Sequence, residues 1–505
     1  MRCFRHLYSV IFSAKLPLLQ CFLLLLAPMI VHGQKEHSLQ WVLNNYIWMD
    51  FREDSLQIGI LPNANQSLNP GDYSTSICDS VGTLLFFTGG CYVQNTKNLT
   101  MKNGDSITGN WVLQNWCDYN DFPLKMNNTI LPYPNNPKKY IIFNHDFVDP
   151  FGIGGPLPVP MHLYFHIVDM SLDNGLGEIV AKKQVALEDT IGRGYLQAVR
   201  HANGSDWWVI DPKWNSNCYF VLPVTSNGVG TFHTECLGKV WNNNDWSGQT
   251  GFSPDGSKFA RIQGHNGLII FDFNNLTGHL SNPIQLQYFQ SEYYERGLAF
   301  SPNSRYLYIT AQLQVFQFDL WAADIQSSLQ MIGNIDEATL QPGQGYLGMT
   351  KLGPDGRIYI ACSGSHKYLS VISKPNCSGK ACDFHPYEIQ LPANNYSGLP
   401  NLPNFDIQTS TYDCETSGSK ESSTIISQGV LIYPNPTSGL TTLSTQTLQQ
   451  GCWRLIDSSN KIVNSGNWER ASIQIDLSKY CGGMYFFQLI TSKGDVYTSR
   501  LVLTR

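Results

Sequence analysis

Short segments in which apolar and polar positions alternate recur along the middle of this chain, and each follows a turn. The turn prolines lie 48 and then 52 residues apart. Proline presets φ at the second position of a turn, and Asp-Gly suits the two positions after it. An alternating segment bounded by such a turn predicts a half-buried β-strand. The repeat-turn residues are Pro254, Asp255, Gly256, Pro302, Pro354, Asp355 and Gly356.

The repeat predicts a closed all-β architecture. A unit of about fifty residues with several short strands cannot bury both of its faces, so neighbouring copies must pack around an axis. Six units begin near residues 78, 140, 195, 250, 297 and 347. The strands between residues 40 and 50 either close the ring or contribute to a seventh unit. The sequence therefore predicts a β-propeller of six to seven blades over residues 34–411.

The C-terminal part has a different pattern. A short polar stretch, residues 412–424, is the predicted linker. Residues 425–505 contain five short segments rich in β-branched and aromatic residues, which predict a small antiparallel β-sandwich. The motif residues of this part are Pro434, Asn435, Pro436, Gly439, Gly483 and Tyr485.

These motifs, in this order, resemble the type A C-terminal sorting domain of the bacterial type IX secretion system. The Ser-Pro-Asp-Gly units resemble the WD40-like repeats of TolB-type propellers. Together with His201-Ala202-Asn203-Gly204 and Gly398-Leu399-Pro400, they resemble exported propeller proteins that carry such sorting domains. The resemblance implies recognition by the type IX machinery after passage through the periplasm. It places the protein outside the cell or on its outer surface, and it assigns no activity.

The N-terminus predicts the first step of that route. Arg2, Arg5 and Lys15 precede an apolar run over residues 16–31, and cleavage is expected between Gly33 and Gln34. A basic start, a short apolar core and a small residue at the cut are typical of a secretory signal peptide, here residues 1–33. No second apolar stretch of membrane-spanning length follows in the sequence.

Charge and cysteine content fit export. The formal net charge is −6, and it becomes −9 once the three basic residues of the signal peptide are removed, so a nucleic-acid partner is not expected. Of thirteen cysteines, Cys377 and Cys382 are predicted to close a local disulfide, and Cys362 is the candidate free thiol. Other pairings that the sequence leaves open are Cys78–Cys91, Cys218–Cys236 and Cys452–Cys481.

The sequence contains no recognisable catalytic motif. Neither Gly-x-Ser-x-Gly nor His-Glu-x-x-His occurs, and no Cys and His spacing suits zinc, so no catalytic or metal-binding residue and no cofactor is predicted. The oxygen-rich loop 242–246 would suit calcium, but a polar loop explains it equally well. Trp207, Trp208 and Trp246 could form a sugar-stacking platform, although tryptophans of the blade core are the favoured interpretation.

Two classes of function compete. The first is a surface-exposed binding module whose loops contact a glycan or a protein, because propellers present loops from a rigid frame. The second is an enzyme, lactonase-like or glycan-cleaving, with acid and base residues converging in the axial channel. Two or three Asp, Glu or His at the channel mouth would favour the enzyme. The absence of a catalytic motif favours the binding module.

Overall fold

The computed structural model describes residues 34–62, 73–117, 124–147, 159–241, 248–264, 266–288, 296–405, 414, 430–433, 437, 439–445, 450–457, 461–470, 472–491 and 496–503. The chain divides into two compact units, Met1–Cys414 and Glu415–Arg505, and this division falls within the predicted linker. The predicted signal peptide, including Gly33, lies outside the described residues. Among the residues that are described, no helix is long and apolar enough to cross a membrane.

The N-terminal unit consists of antiparallel sheets that follow one another along the chain. The strands of sheets 1 to 3 are β1 (Gln40–Val42), β2 (Ile47–Asp50) and β3 (Gln57–Ile60); β4 (Thr75–Cys78), β5 (Leu84–Thr88) and β6 (Val93–Asn95); β7 (Asn128–Pro132), β8 (Lys139–Asp146), β9 (His162–Asp169) and β10 (Glu178–Glu188). Sheet 4 contains β11 (Gln197–Arg200), β12 (Trp207–Pro212), β13 (Cys218–Thr225), β14 (Gly228–Val229) and β15 (His233–Cys236).

Sheets 5 to 7 contain four strands each, as sheet 3 does. Their strands are β16 (Gln249–Phe252), β17 (Lys258–Gln263), β18 (Gly267–Asn274) and β19 (His279–Leu286); β20 (Leu298–Phe300), β21 (Tyr306–Ala311), β22 (Gln314–Asp319) and β23 (Gln330–Asn334); β24 (Leu347–Leu352), β25 (Ile358–Cys362), β26 (Ser365–Ile372) and β27 (Phe384–Tyr396). The short helical segments are Gln34–Ser38, Asn44–Tyr46, Asn110–Val112, Leu113–Cys117, Asp173–Gly175, Gln326–Ser328, Glu337–Thr339 and Gly379–Cys382.

The sheets form a ring. The first strand of one sheet contacts the first strand of the next at β1–β4, β4–β7, β11–β16, β16–β20 and β20–β24, and β27 of the last sheet contacts β2 and β3 of the first. At this closure the Trp41 ring lies 4.8 Å from that of Phe51 and 5.6 Å from that of Tyr359. The unit is therefore an all-β propeller. Its described residues contain seven sheets.

The repeat turns have the predicted conformation. Asp255 accepts hydrogen bonds at Oδ1 from the backbone N–H of Ser257 at 3.0 Å and from the hydroxyl of Ser253 at 2.6 Å. Gly256 has a φ of 68°, which glycine adopts without steric strain. In the second copy Ser304 takes the same conformation, with a φ of 59°, and its Oγ accepts from the backbone N–H of Asp255 at 3.1 Å. Consecutive turns are thus joined across sheets.

The predicted Cys377–Cys382 disulfide is wrong. Cys377 pairs with Cys414 instead, and Cys382 is a buried free thiol. The helical turn Gly379–Cys382 carries Cys382 into the apolar core that also contains Tyr308. Cys362 is free and buried, as predicted. The other disulfides join Cys91 to Cys117 and Cys218 to Cys236.

The C-terminal unit contains two antiparallel sheets whose buried side chains form one core. Gly483 begins the central strand with a φ of 151°, and the hydroxyl of Tyr485 donates to the Cys481 carbonyl at 2.7 Å. Gly439 lies just before the second strand, whereas residues 434–436 of the motif lie outside the described residues. One sheet contains β28 (Val430–Tyr433), β29 (Leu440–Thr445) and β32 (Ser472–Asp476). The other contains β30 (Gly451–Asp457), β31 (Ile462–Trp468), β33 (Gly483–Thr491) and β34 (Val496–Leu503).

Candidate functional site

The axis of the propeller contains a small cavity. Its volume is about 80 Å³, and it is lined by β11, β16, β20 and β24 and by residues 402–405. Pockets that hold drug-sized ligands measure roughly 300–1,000 Å³. Among the described residues that line the cavity there is no Asp, Glu or His. The acid and base residues expected of an axial enzyme site are therefore not part of this lining.

Residues 398–405, which we call the axial segment, lie against the first strands of several sheets. The backbone carbonyl of Asn401 accepts hydrogen bonds from the hydroxyls of Thr75 at 3.2 Å and Thr129 at 3.0 Å. Its side-chain Nδ2 donates to the carbonyls of Asn128 and Leu196, each at 2.9 Å. One buried asparagine thus connects sheets 2, 3 and 4, because buried amides need such partners.

Lys351 is the basic residue of the axial cavity. It lies on β24, and its Nζ donates to the carbonyl of Leu402 in the axial segment at 2.7 Å. Burial lowers the pKa of Lys351 to about 7, because the charged ammonium loses its hydration there. The contact with Leu402 connects sheet 7 to the same segment that Asn401 attaches to sheets 2 to 4.

A buried acid–base pair lies near the C-terminal ends of β8 and β12, the second strands of sheets 3 and 4. Nε2 of His145 and Oδ2 of Asp211 are 2.6 Å apart, and both side chains are 0% exposed. Burial raises the pKa of Asp211, while His145 and then Arg261 oppose that shift. The Arg261 guanidinium stacks on Trp241, 4.1 Å from the ring centroid. Because the pair is fully enclosed, it joins sheets 3 and 4 and offers no surface to a ligand.

The tryptophans singled out in the sequence do not form an exposed platform. Trp207 is 0% exposed, and its indole N–H donates to the Pro132 carbonyl at 3.1 Å. Trp208 is 9% exposed and donates to the Asn275 carbonyl at 2.9 Å. Both rings pack between neighbouring sheets, which agrees with the favoured blade-core interpretation. Trp246 and the loop considered for calcium lie outside the described residues.

One end of the propeller exposes apolar side chains. In an antiparallel sheet the first and third strands run in the same direction, so the connections that follow them leave at one end. We call this end, which includes the repeat turns, the repeat-turn face. Exposed apolar side chains in these connections are Val81 (73%), Leu99 (53%), Leu172 (38%), Leu276 (59%) and Trp321 (68%).

Trp321 is the aromatic member of this group, and it lies beside an ion pair. It follows β22, and its backbone N–H donates to Oδ1 of Asp319 at 3.0 Å. The Arg305 guanidinium lies 5.3 Å from its ring centroid and forms two bonds to Asp319, at 3.0 and 2.7 Å. These hydrogen bonds lower the pKa of Asp319, so the pair is ionised at neutral pH.

The sequence contained a signal for Trp321 that we missed. Leu320 is buried at 9% exposure, and its backbone N–H donates to the Arg305 carbonyl at 2.8 Å, so the strand pair ends there. Trp321 directly follows Phe318-Asp319-Leu320, at the start of the connection between the third and fourth strands of sheet 6. It lies beyond the last hydrogen bond between β21 and β22 and therefore faces solvent. The clustering of tryptophans in the sequence predicted a platform within residues 207–246 instead.

Comparison with known proteins bears first on the C-terminal unit. Residues 431–504 match the family described as a secretion system C-terminal sorting domain. The C-terminal unit is a type IX sorting domain. It implies that the chain is exported, to the medium or to the cell surface. This confirms the resemblance read from Gly439, Gly483 and Tyr485 and the motif around them.

Comparison with curated proteins found no match. Solved structures that resemble the chain include the periplasmic gluconolactonase of Pseudomonas aeruginosa, at 12% identity and a TM-score of 0.35, covering 76% of this chain and 90% of that one. The Cps50 (Swd1) β-propeller domain of Myceliophteria thermophila has 10% identity and a TM-score of 0.32, covering 65% of this chain and 94% of its own. Likeness at this level does not bear on function.

Proposed function

We propose that the N-terminal unit is an exported binding module that contacts a protein partner through the repeat-turn face. The observation that carries the proposal is Trp321, an indole 68% exposed beside an Arg305–Asp319 pair on a face with four further exposed aliphatic side chains. Tryptophan and arginine are enriched at the energetic centres of protein interfaces, and surrounding apolar contacts exclude water from them.

The rigidity of this group supports the proposal. Two hydrogen bonds fix the Arg305 guanidinium on Asp319, and a third joins Asp319 to the backbone of Trp321. A pre-ordered side chain loses little conformational entropy on binding, which favours affinity. The four exposed aliphatic side chains of the face favour a protein partner over a glycan, because they have no group that could bind sugar hydroxyls.

The axial cavity supports a binding module over an axial enzyme. At about 80 Å³ it is too small for a sugar ring with its hydroxyls, and its described lining contains no carboxylate or imidazole. The propeller enzyme of the sequence analysis stays a prediction. We also propose the periplasm as the intermediate stage of export, since the sorting domain acts after that stage in the resemblance described above.

Site-specific photocrosslinking on intact cells tests this function. A benzophenone amino acid placed at Leu276 or at Leu99 should give a discrete, protease-sensitive adduct. The same group at Val185, which is 53% exposed on β10 at the outer rim, should not. An adduct whose attached partner resists protease would indicate a glycan. Equal adducts from Val185, or none from the two face positions, would contradict the proposal.

A further inference from the structure

Three side chains on the outer strands of sheets 4 and 5 form a set of metal-ligand type. His233 and Glu235 lie on β15 and His279 begins β19, and their donor atoms all lie within 4.8 Å of one another. Nε2 of His233 is 3.8 Å from Oε1 of Glu235, and Nδ1 of His279 contacts the same oxygen. Donor atoms around tetrahedral zinc, with bonds of roughly 2.0–2.2 Å, are separated by roughly 3.3 Å. The three atoms therefore need only small movements to share one ion.

The carboxylate of Glu235 is oriented by its other oxygen. The backbone N–H of Leu280 donates to Oε2 at 2.6 Å, which leaves Oε1 directed at the two imidazoles. The next residue, Cys236, forms the disulfide with Cys218 that holds β15 on sheet 4. Such outer contacts orient ligands in metal sites. Both strands are thus fixed independently of any ion.

The turn before His279 is shaped to approach sheet 4. Gly278 has a φ of 75°, and a Cβ at this position would lie 2.8 Å from the Trp208 ring. The Trp208 indole donates to the Asn275 carbonyl of the same turn at 2.9 Å, and its ring meets that of His233 edge-on at 6.3 Å. Trp208 and Gly278 therefore position the two imidazoles on either side of the inter-sheet boundary.

His233 supports this assignment. Within the described part of the chain, its buried Nε2 forms no hydrogen bond, although it faces the Glu235 carboxylate. A bound cation would satisfy that nitrogen. Two imidazoles and one carboxylate suit zinc, whereas calcium and magnesium prefer oxygen ligands only.

We infer that His233, Glu235 and His279 form a zinc site that joins sheets 4 and 5. Nε2 of His233, Nδ1 of His279 and Oε1 of Glu235 would supply three ligands, and the fourth position would be taken by water. His279 is 62% exposed, so the ion can enter from solvent. His279 follows the connection that carries Leu276, so the site lies beside the repeat-turn face, but none of its three ligands is one of the exposed apolar side chains of that face.

Calorimetric titration of the untagged, EDTA-treated full chain with ZnCl₂ tests the inference. We expect one zinc ion per chain. His279→Ala and Glu235→Gln should each weaken binding at least about tenfold, since even outer contacts contribute that much. The glutamine can still accept from Leu280, which separates ligand loss from unfolding. His385→Ala is the matched control, because His385 is 46% exposed beside Asp383 at 3.0 Å and lies away from the three ligands.

The cobalt-substituted chain provides a second measurement, with visible absorption bands expected for four-coordinate Co²⁺ in the wild type and lost in His279→Ala. The inference is overturned if the wild type binds no zinc. It is also overturned if His279→Ala and His385→Ala weaken binding equally, or if Glu235→Gln has no effect on it.

Discussion

Two acid–base pairs of the propeller show how burial distinguishes groups that stabilise the fold from groups that a partner can reach. His145 and Asp211 lie 2.6 Å apart with both side chains 0% exposed. Arg305 and Asp319 lie 2.7 Å apart on the repeat-turn face, with side chains 38% and 21% exposed. The distances are nearly equal, so distance alone does not distinguish the two pairs.

The difference lies in what happens when one partner is removed. Removing one member of a buried pair leaves an uncompensated polar group without water, whereas an exposed group is rehydrated at once. The first pair is therefore expected to stabilise the fold, and the second to orient Trp321.

Breaking the buried pair should have the largest effect. His145→Ala should lower the free energy of unfolding by about 3–5 kcal/mol, because Asp211 loses its partner in the interior. Asp319→Ala should lower it by only about 0–1 kcal/mol. Urea denaturation of the full chain, followed by far-ultraviolet circular dichroism, measures both changes. Equal losses from the two variants would refute the distinction.

Removing the amide of the axial segment should have the next largest effect. Asn401→Ala deletes the side-chain bonds to Asn128, Leu196 and Gln197, the last at 2.6 Å. We expect a loss of about 2–3 kcal/mol, because buried partners remain unsatisfied. The control is Asn203→Ala in an exposed turn, and the urea midpoint is the measurement. If both variants unfold at the same urea concentration, the axial segment does not stabilise the ring.

Lys351 should make stability depend on pH. Its pKa is about 7 in the folded chain, below the ordinary lysine value. Between about pH 7 and about pH 10 the unfolded chain binds more protons, so the free energy of unfolding should rise with pH by up to about 1.4 kcal/mol per unit. Lys351→Met should lack this rise. A constant difference between the two proteins over this range would show that Lys351 keeps its ordinary pKa.

Trp321 should contribute least to stability. Trp321→Ala should change the free energy of unfolding by no more than about 0.5 kcal/mol, since exposed substitutions rarely do more. The same variant should abolish the photocrosslink from Leu276 if the two residues share a partner. Val185→Ala serves as the matched exposed control. A large loss of stability in Trp321→Ala would assign the ring to the fold rather than to binding.

Local sequence patterns predicted the repeat turns and the strands of the propeller well. The Pro254-Asp255-Gly256 turn depends on residues that are adjacent in sequence, and its side-chain bonds stay within the turn. The Cys218–Cys236 pair, which the sequence had left open, forms because both residues lie opposite each other on neighbouring strands. Such features follow from dihedral preferences and strand register, which short stretches of sequence determine.

Features that depend on distant residues escaped prediction. The helical turn 379–382 buries Cys382 as a free thiol, and Cys377 pairs with Cys414 instead. Trp208 is buried because a glycine seventy residues later lets a turn from the next sheet cover it. His233 and His279 approach each other for the same reason. Sequence spacing could not reveal a metal set divided between two sheets.

The axial segment, which closes the ring, precedes the sorting domain in the sequence. Asn401, Leu402 and Asn404 form hydrogen bonds with the ring, and the Cys377–Cys414 disulfide lies at the end of the same unit. The sorting domain begins only at residue 431. Proteolytic removal of the residues that follow Cys414 would leave the hydrogen bonds of Asn401, Leu402 and Asn404 in place.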